Sequence, residues 1–116
     1  MAEYQELEPK GEGSHFTVKA HFENHLEQTV TMLAIKYRID DLTNKATVRD
    51  WTSITPVAEF EIAVTPDDNA IISDGNRRER RQLTIVANDD GDTQFVDPKP
   101  LVWWVNNTLR GRSVIP

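Results

Sequence analysis

Between residues 15 and 22 the chain reads HFTVKAHF, with Phe16, Val18, Ala20 and Phe22 on one parity and His15, Thr17, Lys19 and His21 on the other. Side chains of a strand alternate sides, so this stretch predicts a half-buried β-strand. The pattern recurs. TVTMLAIKYRID places Leu33, Ile35, Tyr37 and Ile39 inward and Lys36 and Arg38 outward, although Val30–Ala34 also admits a short helix. ATVRDW predicts a short strand holding Val48 and Trp51. AEFEIAV alternates Phe60, Ile62 and Val64 with Glu59 and Glu61, and RQLTIVAN alternates through Leu83, Ile85 and Ala87. LVWWV, entered past Pro98 and Pro100, predicts the last strand. Between these runs lie ENHLEQ, DLTNK, TPDDN, SDGN and NDDGD. Asp and Asn there bond their own backbone and tolerate left-handed conformations, which suits turns.

No segment sustains an apolar period of 3.6 residues. Six to eight short strands joined by polar turns predict an all-β chain, an antiparallel β-sandwich of about seven strands. Trp51, Tyr37, Phe16, Phe22, Phe60 and one of Trp103 or Trp104 are the expected large core residues, each aromatic burying on the order of 150–250 Å². Three regions follow: an extended N-terminal arm over 1–14, a sandwich over 15–107 and a C-terminal arm over 108–116. The first arm carries Glu3, Glu6, Glu8 and Glu12 against Lys10, with Pro9, Gly11 and Gly13, and offers little to bury.

The stretch IKYRIDDLTNKATVRDWTSITP, followed by FEIAVTPDDNAII and RRERRQLTIVAN, resembles the immunoglobulin-like or fibronectin type III-like sandwich. In particular it resembles small Ig-like proteins encoded by tailed bacteriophages. The resemblance covers roughly residues 33–88. It implies a non-enzymatic virion component, such as a head decoration, neck or tail accessory protein, located in the virion and in the host cytoplasm during assembly. The cysteine pair of antibody domains has no counterpart.

Composition narrows the chemistry. A single domain fits 116 residues. A net charge of −6 argues against a general nucleic-acid binder. The chain has no cysteine, which removes disulfides, zinc–thiolate sites and cysteine nucleophiles. The opening MAEYQELEPKGEGS lacks a basic region followed by an apolar stretch, so no secretory leader is expected there, and no apolar run approaches a membrane span. His15 and His21, about 20 Å apart along one strand, cannot share a site. His21 and His25 could approach across a bend, but surface histidines are the default. Without a nucleophile–base pair or a P-loop, H-E-x-x-H or G-x-S-x-G pattern, no enzyme and no cofactor are expected. Asn88, Asp90 and Asp92 alternate as calcium ligands often do, yet the glycine position and Lys99 exclude an EF-hand, and a plain loop is the preferred reading.

Contact chemistry concentrates in two places. Trp103 and Trp104 must point to opposite faces of a strand, so one faces outward as a platform for a protein or a glycan. Asn76–Arg81 reads NRRERR. Alternation puts Arg78 and Arg80 on one side and Arg77, Glu79 and Arg81 on the other. The second group shares the inward parity of Leu83 and Ile85, so it stays solvated only if the sandwich edge is reached there. Two readings stand level: a solvated strand end paired with Asp40, Asp41, Asp50 or Asp67–Asp68, and an interface whose arginines grip carboxylates on a neighbour. The expected contact residues are Arg77, Arg78, Arg80, Arg81, Trp103 and Trp104. Expected partners are other virion proteins or copies of the chain, with a surface glycan as the alternative and neither nucleic acid nor membrane.

Overall fold

A computed structural model describes residues 5–23, 26–73, 75–88, 94–95 and 100–107. The described residues form no helix and ten strand segments: β1 (Gln5–Glu6), β2 (Lys10–Gly11), β3 (Phe16–Glu23), β4 (Thr29–Val30), β5 (Ala34–Asp41), β6 (Ala46–Ile54), β7 (Glu59–Val64), β8 (Arg78–Asn88), β9 (Gln94–Phe95) and β10 (Leu101–Asn106). The larger sheet runs β1-β10-β8-β5-β6, with β2 also on β10 and β9 on β8; the smaller runs β4-β3-β7. All pairings are antiparallel except those of β1 and β2 with β10.

The inner faces share one core. Val18, Phe22, Phe60, Ile62 and Val64 come from the smaller sheet; Ile35, Tyr37, Ile39, Leu83, Ile85, Trp103 and Val105 come from the larger. Phe16 meets Trp103 edge-on across the sheets at 5.3 Å between ring centroids, and Phe22 stacks on Phe60 at 6.0 Å. β8 lies between β5 and β10, so its inward parity is buried from Glu79 through Ala87.

Two core expectations need correction. Leu33 is 63% exposed and Met32 takes the buried place, because the chain bends at Leu33 and strand alternation starts only at Ala34. Trp51 is also exposed, at 41%. The β5–β6 register shifts between Tyr37 and Ile39 and again between Ile39 and Asp40, so Thr52 faces Tyr37 while Arg49 faces Ile39. The two shifts cancel, so Ala46, Thr52 and Ile54 all pair with inward residues of β5, and plain alternation next to Thr52 turns the Trp51 ring outward.

In the 1–14 segment, β1 and β2 lie on β10 of the same chain, and a turn at Glu12 and Gly13 follows, closed by the Ser14 N–H to the Gly11 carbonyl. Gln5 and Leu7 donate their N–H groups to the carbonyls of Pro100 and Val102, Glu12 donates to that of Asn106, and Leu7 packs against the core. The 108–116 segment, His25, Asp90 and Asp92 lie outside the described residues.

Candidate interaction surface

The NRRERR run contributes to two sites of opposite character. Its inward half builds a buried polar cluster. Glu79 and Arg81 are both fully buried, as is Asp41 of β5, which sits opposite Arg81 in register. The Arg81 Nη1 donates to Asp41 Oδ2 at 2.8 Å and to Glu79 Oε1 at 3.1 Å. Its Nε donates to the carbonyl of Asp68 at 3.1 Å, and its Nη2 to that of Ala70. Asp41 Oδ1 accepts the backbone N–H groups of Thr43 and Asn44, closing the turn between β5 and β6.

Glu79 is the most heavily bonded carboxylate among the described residues. Its oxygens accept the N–H groups of Ile72 at 2.8 Å and Ser73 at 2.9 Å, and the side-chain amides of Asn44 and Asn76. Burial by itself would raise its pKa. The bonds from Ile72, Asn76, Asn44 and Ser73 outweigh burial and lower it from 4.5 to about 2. A lowered folded pKa means that stability is fully present above pH 4.5 and drains away as pH falls towards 2. In urea titrations across that window the wild type should lose on the order of 3 kcal/mol from this group. Glu79→Gln should start weaker at pH 7 and show a flatter slope below pH 4.5.

The segment between β7 and β8 closes the cluster from outside. Asp68 pairs with Arg49, which also reaches the Tyr37 hydroxyl at 2.6 Å. Asn69 accepts the Trp103 indole N–H at 2.8 Å and donates to the carbonyl of Ser14 at 2.8 Å. Arg81 and Trp103 are therefore withdrawn from the set expected to make outside contacts. β8 is a central strand, and β10 puts Trp103 on its inner side. The solvated-end reading fails at Arg81 for the same reason: the interior continues past Leu83 to Glu79.

The outward half stays on the surface. Trp104 is paired with Arg80 in register, and Asn106 with Arg78. The Arg78 guanidinium stacks 4.2 Å from the Trp104 ring centroid and that of Arg80 5.0 Å from it. Arg80 Nη2 also meets Glu6 at 3.2 Å, and Arg77 is exposed. A second stack of the same kind lies across the sheet. The Lys36 ammonium sits 4.9 Å from the Trp51 ring centroid and the Arg38 guanidinium 5.9 Å. Arg38 and Lys36 pair in register with Thr84 and Val86, the continuation of the row begun by Arg78 and Arg80. One outer face thus carries two tryptophans, each held by two cations. Sequence reasoning misses the second stack; its signal is KYR in β5, and the regular pairing of Lys36 with Ser53 and Tyr37 with Thr52 sets the outward Trp51 beside it.

Such stacks hold long cationic side chains in fixed positions, so less entropy is lost when they bind. Asn88, at the end of β8, is the one described member of the calcium-loop candidate, and no group of three or more acidic or histidine side chains able to hold a metal occurs among the described residues. Comparison with protein-family models, with curated proteins and with solved structures finds no match to this chain.

Proposed function

We propose that this chain is a non-enzymatic docking protein with an Ig-like sandwich fold, a structural or accessory part of a tailed-phage particle in its head decoration, neck or tail. The observation that carries the docking reading is Trp104 held between Arg78 and Arg80 on the outer face of the larger sheet. Tryptophan and arginine are the residues most enriched at interface hot spots, and here they are prearranged. The topology supports the Ig-like reading: β3 and β7 face β5, β8 and β10 across one core, and the first strands lie parallel on the last. The phage setting rests on the resemblance of residues 33–88. A glycan reading is less well supported, because Trp103 is buried and guanidinium groups already stack on Trp104.

The partner surface that fits is acidic. Arg77, Arg78 and Arg80 suit carboxylates, and Glu6 already supplies one to Arg80 within the chain. Mass spectrometry of purified particles from the source tests this. The chain should be present at a fixed copy number, and Arg78→Glu with Trp104→Ala should cut that number at least about tenfold, as loss of one hot spot implies. Absence of the wild-type chain from particles, or unchanged incorporation of the variant, contradicts the proposal.

A further inference from the structure

Among the described residues, the smaller sheet leaves most of one side of β3 unpaired. On the side of β3 away from β7, β4 pairs only with Phe22 and Glu23. From Phe16 to His21 no described strand occupies that side, while β7 covers the other. Six residues of unpaired edge span about 20 Å. An uncovered edge presents free N–H and C=O groups, which are a template for another strand.

This edge opens onto a groove. Between β3 and the β1–β2 segment lies a cleft of about 470 Å³. Leu7, Phe16, Val18, Ile85 and Leu101 give it apolar walls that reach the core, since Ile85 itself is a core residue. Its polar lining includes Lys10, Lys19 and His21, and among the described residues no Asp or Glu lines it. That is a sharp local bias in a chain of net charge −6. Lys10 is held over the Phe16 ring at 4.8 Å from its centroid, and Lys19 makes a long, exposed contact of 3.9 Å with Glu61. His21 bonds Glu23 at 2.8 Å.

We infer that this groove is a strand-addition site, in which an extended acidic segment of a partner protein pairs with the β3 edge over Phe16–His21. Its alternate apolar side chains enter between the sheets and its carboxylates meet Lys10 and Lys19. Main-chain bonds supply the register and the alternating pockets supply selectivity. The groove lies between the sheets, whereas the Trp104 face is the outer surface of one sheet, so each can fail without the other.

The test uses the full chain and the acetylated, amidated peptide EVTVEV, followed by backbone amide NMR. Saturable shifts centred on Thr17 to Ala20 and on Lys10 are expected. Binding should weaken at least about tenfold in Lys10→Glu with Lys19→Glu, and equally when lysines replace the peptide's glutamates. N-methylation at alternate peptide residues should abolish it, because the methyl groups remove the donors that the edge needs. No saturable shift at millimolar peptide overturns the inference. So do shifts centred on the outer face of the larger sheet, or binding indifferent to both charge reversal and N-methylation. The two peptide changes decide the matter even if the double variant folds poorly.

Discussion

Arg81→Ala is expected to cost about 3–5 kcal/mol of unfolding free energy, because it leaves Asp41 and Glu79 buried with no cation between them. That is a large part of the 5–15 kcal/mol typical of a domain. The four bonds Arg81 makes to Asp41, Glu79 and the carbonyls of Asp68 and Ala70 would all be lost. They tie β5, β8 and the segment before β8 into one unit, so the loss should appear as one cooperative shift of the urea midpoint. Arg78→Ala, three residues earlier on the exposed side, should stay within about 0.5 kcal/mol of the wild type. A near-equal effect of the two substitutions would contradict the buried cluster. The cluster's value need not lie in net stability, since a well-packed apolar set can replace a buried ion pair. Its donors and acceptors fit one register of β5 against β8, which a greasy contact would leave less defined.

Trp103→Ala should cost about 3–5 kcal/mol, as truncation of a buried aromatic does. The indole lies between Phe16 and Asn69, so its loss opens a cavity and orphans the Asn69 acceptor. Trp103→Phe separates the two contributions: it keeps much of the packing and should cost about 1–3 kcal/mol for the unmet buried acceptor. Trp104→Ala should leave the urea midpoint close to that of the wild type and act on the proposed docking instead. Equal destabilisation at 103 and 104 would mean that β10 does not present its two faces as described.

Alternation alone made the main strands legible. Phe22, Ile35, Tyr37, Ile39, Phe60, Ile62, Val64, Leu83 and Ile85 lie inward as their parity requires. Where alternation misled, the cause was local geometry that leaves no periodic trace. A bend at Leu33 shifts the buried place to Met32. Trp51 is a different case: its size suggests the core, but its parity is opposite to that of Val48 and Ile54, which pack against the core. The arginine run is the instructive case. Parity assigned Glu79 and Arg81 to the inner side, and charge suggested that the interior must have ended there. The missing step was that Asp41 continues the inward parity of Ile35, Tyr37 and Ile39 on the adjacent strand. An acid, a base and a second acid, all at inward parity on paired central strands, form a buried network as readily as a solvated end. The long polar connection TPDDNAIISDGN, with its donors to Glu79 and its acceptors for Arg81 and Trp103, gave no periodic signal because it works through backbone groups and short amides.

The same division governs the surface. Arg77, Arg78, Arg80 and Trp104 were named for contact from sequence and stay outside, while the Trp51 stack needed the tertiary structure to be seen. The 1–14 segment, expected to be an arm, places Glu6 against Arg80 and Leu7 against the core. An acidic partner approaching Arg80 would therefore compete with Glu6 for the same guanidinium.

Oxidative footprinting of Trp104 in purified particles of the source, compared with the free protein, tests the proposed docking role of the outer face most directly. Strong protection of Trp104 in the particle is the expected result. Equal oxidation of Trp104 in both states would contradict docking through this face.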